Sequence, residues 1–147
     1  MSEEVFDSPK AWVADHIKRF LDNDGRPRPG MNDLLLTTRG RRSGKLRRTA
    51  LVYVLDGDRY LLAASNRGAA THPAWYLNLA ADPAVTVQIG TETFSAVART
   101  ANSSQRPHLW QAFTSAMPIY ETYQQETSRN IPVVIVERQG TAFCTSS

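Results

Sequence analysis

Residues 34–65 read LLLTTRGRRSGKLRRTALVYVLDGDRYLLAAS. Three runs rich in apolar, β-branched and aromatic side chains predict strands over Leu34–Thr38, Leu46–Leu55 and Arg59–Ser65. Asp56-Gly57 supplies the positive-φ residues of a tight hairpin between the last two. The first two enclose a loop of different character. Six of the ten residues from Arg39 to Arg48 are Arg or Lys, and no acid lies between Asp33 and Asp56. The chain carries a formal charge of +3, so without those six the balance would turn negative. The basicity is therefore one local feature of a mildly acidic body. A basic, glycine-bearing loop clamped between strands is a place to hold an anion.

Outward from this stretch the pattern changes. Toward the N-terminus, Ser8-Pro9 reads as N-cap and first helical residue, and Val13, Ile17, Phe20 and Leu21 recur at helical spacing. Gly25 can end that helix, and RPRPG over 26–30 is a linker. Toward the C-terminus, 66–73 is a loop and Pro73 opens a short helix that Pro83 stops. Val85–Ile89 and Thr93–Arg99 pair across Gly90-Thr91. Ser103 or Ser104 caps a helix with Leu109, Trp110 and Phe113 inward. Pro118 breaks it, Ile119–Thr127 forms another, and PVVIVE over 132–137 is a final buried strand. The expectation is an α+β, mainly β chain of about six antiparallel strands curled into a small barrel. Residues 1–30 form the N-terminal helix and linker, 31–140 the barrel, and 141–147 a flexible tail, all within a single domain.

Composition sets the bounds. A chain of 147 residues with 41% hydrophobic and 21% charged residues can bury one real core. No apolar run approaches the roughly 18–20 residues of a membrane span, and the acidic start lacks the apolar core of a signal peptide. Cys144 is the only cysteine, which suits a reducing cytoplasm. His16, His72 and His108 are far apart and show no metal-ligand spacing. No GxSxG elbow and no HExxH occurs. A bound cofactor is then the route to demanding chemistry.

Four segments carry candidate chemistry. In the basic loop, Gly40 and Gly44 permit backbone N–H groups to converge, Ser43 adds a hydroxyl, and Arg41, Arg42 and Arg47 offer forks for phosphate. Arg39 and Arg48 read as its solvated members, and the whole loop can equally be read as a solvated hairpin tip. Ala63-Ala64-Ser65-Asn66-Arg67-Gly68 ends a central strand in small residues that let a flat ring lie against backbone; tight sheet packing explains it as well. Trp75 and Asn78 share a helix face and could border a heteroaromatic ligand, or serve as core and cap. Tyr120 and Tyr123 could present phenols to a substrate, or be half-buried tyrosines with wet hydroxyls.

Taken together, LLTTRGRRSGKLRR, LVYV, LLAASNRGA, HPAWYLNLAADPAVTVQIG and IYETYQQETSRNIPVVIVE resemble the deazaflavin-dependent nitroreductase family of actinobacteria, a split β-barrel branch of the flavin and deazaflavin oxidoreductases. The resemblance implies coenzyme F420, an 8-hydroxy-5-deazaflavin whose tail carries a phosphodiester, a carboxylate and several glutamates. Arg41, Arg42, Ser43, Gly44 and Arg47 would hold phosphate and tail. Ala50 and Leu51 would line the ring, with Ala64, Ser65, Asn66, Arg67 and Gly68 along its edge. Ala74, Trp75 and Asn78 would close the site, and Tyr120 and Tyr123 would face the acceptor as catalytic residues. The implied reaction is hydride transfer from reduced F420 to a quinone, enone or nitro compound. Asn66-Arg67 stands where many members have Lys-Gly or two glycines, Ala50 replaces a frequent proline, and Val52 and Met117 stand where some members place tyrosines.

Competing readings are an FMN-binding reductase of the same fold, and a non-catalytic module binding F420 or nucleic acid. Against the last, the basic loop lacks interleaved aromatics, so nucleic acid is not the expected partner. Related barrels often pair, which leaves a homodimer open. The mixed outer face of the N-terminal helix, Lys10, Lys18 and Arg19 against Asp15 and Asp22, does not decide between covering the site, meeting a partner and peripheral contact with a membrane.

Overall fold

The computed structural model describes residues 4–8, 10–25 and 32–139. Pro9, the RPRPG linker and the 141–147 tail lie outside the described residues. Eight strands form one sheet: β1 (Val5–Asp7), β2 (Asp33–Arg39), β3 (Leu46–Val52), β4 (Val54–Asp56), β5 (Arg59–Ala63), β6 (Ala84–Ile89), β7 (Glu92–Thr100) and β8 (Val133–Arg138). Four α-helices accompany them: α1 (Ala11–Asp22), α2 (Ala74–Ala81), α3 (Arg106–Ala116) and α4 (Ile119–Gln125).

The expected six strands become eight for two reasons. The run 46–55 breaks at Tyr53, where the pairing changes partner: its N–H makes the last in-register bond toward β2, to Asn32 O at 2.9 Å. Before the break β3 pairs with β2, and after it β4 pairs with β5. The second addition is β1, only three residues long and parallel to β3. Every other pairing is antiparallel.

The strand order is β1-β3-β2-β6-β7-β8-β5-β4. Strands β3 and β4 stand near its opposite ends yet are separated in sequence by Tyr53 alone. The sheet therefore has to curl until its ends meet, and the closure is covalent rather than hydrogen-bonded. This is a split barrel.

Side-chain alternation fills it. Leu34, Leu36, Leu62, Val85, Val87, Val134 and Val136 point into the barrel with Leu79 and Phe94. Leu61, Ala63, Val133 and Ile135 point outward and are covered by Leu109 and Phe113 of α3. Covered on both faces, β5 and β8 read as continuous apolar runs. Leu35 and Ala50 meet Val13, Ile17 and Phe20 of α1. Burying a side chain such as Ile17 or Phe113 contributes about 1.5–3 kcal/mol, which is what fixes α1 and α3 on the barrel.

The helix ends follow local chemistry. Gly25 N–H donates to Phe20 O at 2.7 Å and closes α1. Asn102, rather than Ser103 or Ser104, caps the α3 turn: its Oδ1 accepts from Ser104 N at 3.0 Å and Gln105 N at 2.9 Å. Trp110 is half-buried rather than inward, because its Nε1 donates to Glu121 Oε1 at 2.9 Å. No helix among the described residues is long and apolar enough to cross a membrane.

Candidate functional site

The basic loop joins β2 to β3, and its backbone is tied to itself. Gly40 N donates to Lys45 O at 2.7 Å and Gly44 N to Gly40 O at 2.8 Å. Lys45 N donates to Ser43 Oγ at 3.2 Å. The expected convergence of glycine amides on an anion is thereby corrected: those N–H groups hold the loop's shape. Asn78, buried on α2, bonds to the same loop. Its Oδ1 accepts from Arg41 N at 3.2 Å and Arg41 Nη1 at 3.1 Å, while its Nδ2 donates to Thr38 Oγ1 at 3.3 Å. It positions the loop and also lines the cavity that the loop rims. Nor is Arg48 merely solvated: Nε and Nη2 grip Asp7 at 2.6 and 3.0 Å and pin β1 to β3. Arg39 Nη1 donates to Gly44 O at 2.9 Å.

What remains for an anion are exposed side chains. Arg41, Arg42, Ser43 and Arg47 rim a cavity of about 370 Å³. Its apolar wall is Ala50, Leu51, Ala74 and Trp75, and its far side is closed by Lys10, Trp12 and Val13 at the start of α1. A second cavity of about 290 Å³ adjoins it and shares Trp12, Ala50, Leu51, Asn66 and Trp75. Ser65, Arg67, Met117, Tyr120 and Tyr123 are among the other residues that line it. The structure thus brings a basic rim, a small-residue slot and two phenols into one continuous cleft. Gly44, Ala64 and Gly68 line neither cavity.

The profile of the family described as F420H(2)-dependent quinone reductase matches residues 12–138. The chain belongs to this family. An F420H(2)-dependent quinone reductase of Mycobacterium tuberculosis is 38% identical over 109 residues, covering 72% of this chain and 73% of that protein. Among solved structures, an F420-H2 dependent reductase superposes with a TM-score of 0.66 at 40% identity, covering 72% of this chain and 94% of the other. A structure described as a domain-swapped dimer superposes at 0.69 with 37% identity, over 88% of this chain and 100% of that one.

Within this F420H(2)-dependent quinone reductase fold, several neighbours of the cleft gave no signal in the sequence. Arg129 follows α4 and clamps the 64–69 loop. Its Nη1 donates to Ala64 O at 3.0 Å, Nη2 to Ser65 O at 2.6 Å and Nε to Ala69 O at 2.9 Å. Nη1 also lies 3.0 Å from His72 Nδ1. Beside a guanidinium that nitrogen is the acceptor, so the imidazole is neutral. Burial, then the charge of Arg129, holds His72 below the usual histidine range. Arg129 lies in a short polar segment without periodicity, and nothing local marks it.

The loop itself is strained. Asn66 and Arg67 adopt φ of +49° and +54°, a region that L side chains enter at roughly 1–2 kcal/mol each. Glycine, expected here by resemblance, would avoid that. The side chains return contacts instead. Asn66 Oδ1 accepts from Lys10 Nζ at 3.0 Å, and the Arg67 guanidinium stacks 3.8 Å over the Trp12 ring. Both tie α1 across the cleft. Tyr120 stacks edge-on against Tyr123 at 5.2 Å and against Phe113 at 4.7 Å, which fixes the phenols' bearing on the second cavity.

Proposed function

We propose that this chain is an F420H2-dependent reductase that passes a hydride to a quinone-type acceptor, with the first cavity holding the cofactor and the second the acceptor. The observation that carries the reading is that the two cavities are neighbours, sharing Ala50, Leu51 and Trp75 in their walls. One end is a rim of guanidiniums and the other a pair of phenols. The amides of Gly40, Arg41, Gly44 and Lys45 already have acceptors within the protein. That suits an extended chain of several anions met by separate guanidinium forks better than one compact phosphate in a backbone nest. The cleft therefore fits F420 on its own residues.

Arg41, Arg42 and Arg47 would grip the tail and Ser43 would donate its hydroxyl. Ala50, Leu51, Ala74 and Trp75 would flank the ring, with Ser65, Asn66 and Arg67 at its edge. When bound, reduced F420 supplies hydride chemistry at a carbon centre, suited to two-electron transfer. The chain's part is orientation and donors placed where negative charge develops on the acceptor oxygens. Tyr120 and Tyr123 would donate those hydrogen bonds. Val52 and Met117 leave the acceptor cavity short of further phenols, which favours flat quinones over bulky nitroaromatics.

The outer face of α1 carries paired charges, Lys18 with Asp22 at 2.7 Å and Arg19 with Asp15 at 3.0 Å. Such balance gives anionic lipid little to attract, so the helix is assigned to covering the cleft. A homodimer would use the sheet's terminal strands β1 and β4, where Val5 and Leu55 are exposed.

Parallel fluorescence titrations with F420 and FMN test the cofactor assignment, followed by turnover with a quinone panel. Tighter binding of F420 and reduction of quinones are expected. Preference for FMN, or F420 binding without turnover on any quinone, would overturn the reading.

A further inference from the structure

His16 has no part in the reading above. It sits on the apolar stripe of α1 among Val13, Ile17 and Phe20 and is 8% exposed. A leucine would fill that place without electrostatic penalty, and a buried imidazole beside a buried carboxylate is not a device for stability. Its Nε2 is sealed from solvent 3.4 Å from Asp33 Oδ1, near enough for an ion pair though not aligned as a hydrogen bond. Asp33, at the start of β2, is 3% exposed. His16 nevertheless lines the second cavity, as do Tyr120 and Tyr123. With Nε2 buried, Nδ1 is the ring nitrogen left to serve a ligand there.

We propose that His16 is the catalytic residue that protonates the reduced acceptor, and that Asp33 is the positioning residue that orients it. This role rests on the second cavity being the acceptor site. Imidazole titrates near neutrality by nature and a phenol near pH 10, so histidine is the better proton donor at working pH and the tyrosines the better fixed hydrogen-bond donors.

The balance is complete. Reducing a quinone to a quinol takes one hydride and one proton. The hydride and its electron pair come from C5 of F420H2, which is thereby oxidised. The proton comes from the imidazolium to the quinol oxyanion and is restored from water, which takes up the N–H proton the oxidised cofactor sheds. The other charged or titratable groups around the cavity are Asp15 and Arg19 on α1, Arg67 in the strained loop, and Tyr120 and Tyr123 on α4; Tyr53 approaches Asp33 from the β3–β4 joint.

The test uses His16→Gln and Asp33→Asn in the full chain. For His16→Gln, kcat with a soluble naphthoquinone is expected to fall about 100-fold, with F420 affinity within about twofold. The pH profile of kcat should change with the loss of the ring. Nitrogen NMR of the cofactor-free protein should find the neutral His16 ring protonated on Nε2, and mixed tautomers in Asp33→Asn. Near-wild-type kcat with an unchanged pH profile would overturn the proposal. So would equal losses of affinity and turnover, which mark a packing role. If His16→Gln does not fold, the tautomer decides, and an unchanged ring in Asp33→Asn refutes the pair. Wild-type protein that binds no F420 would instead sink the cofactor reading itself, and this role with it.

Discussion

A cleft that keeps its guanidiniums in solvent binds differently from one that buries them. Arg42 and Arg47 are exposed, and each would contribute through a charge-assisted pair screened by water. Arg42→Ala with Arg47→Ala should weaken F420 binding tenfold or more with little change in melting temperature, as read by fluorescence titration; unchanged affinity places the tail elsewhere. Tyr120→Phe keeps the ring stack on Phe113 and removes one hydroxyl, so kcat should fall more than cofactor affinity does. The reverse pattern makes Tyr120 a wall of the cofactor slot. His72 gives a pH signature of a different kind. Its folded form resists protonation through burial and then Arg129, whereas the unfolded chain takes up the proton near pH 6.5. Its contribution to stability is therefore complete above about pH 6.5 and declines as pH falls from there toward the folded value. His72→Gln retains an acceptor for Arg129 and should flatten the loss of melting temperature between roughly pH 7 and pH 5.

At the scale of elements, the cleft is an agreement between one loop and its two neighbours. Gly68 shows how tight that agreement is. At φ +81°, a Cβ there would lie 3.0 Å from Glu126 Cβ and 3.0 Å from Tyr123 O. Gly68→Ala should cost about 1–3 kcal/mol by thermal melting and shift α4 with its phenols, so turnover should suffer beyond the stability loss. A silent substitution would mean that α4 yields freely. This is also the scale at which sequence and structure part company. Strands flanking Arg39–Arg48, the Asp56-Gly57 turn and the PVVIVE strand were legible because alternation and turn chemistry are local. The three-residue β1 was not, because its support is all distant in sequence: a parallel pairing with β3, the Asp7–Arg48 ion pair and the cations of Lys45 and Arg47 over the Phe6 ring. The break at Tyr53 lies inside an unbroken apolar run. Asn78, Arg129 and His16 act through partners 37, 64 and 17 residues away or thereabouts in the chain, beyond the reach of spacing. The basic rim was legible as charge, while its backbone amides turned out to serve the loop.

At the scale of the whole molecule, binding, closure and catalysis meet along one line. The slot lies where α1 crosses β3, and β3 leads through Tyr53 into the other half of the barrel. Within the sheet that other half is joined through β8: among the described strands β5 pairs with β4 and β8, and β7 reaches β5 through β8. A chain ending at Pro132 should lose F420 binding altogether although every proposed cofactor contact is retained, and its circular dichroism should show a collapsed strand signal; retained binding would mean that β2, β3 and β6 form the slot unaided. During synthesis the same arrangement imposes a delay. A nascent polypeptide emerging from the ribosome exposes Leu61, Leu62 and Ala63 for some seventy residues of translation before the strand that flanks them exists. Newly made copies are thus most vulnerable to sticking together late in elongation, and co-translational chaperones, rather than the coenzyme, are the helpers the chain first needs.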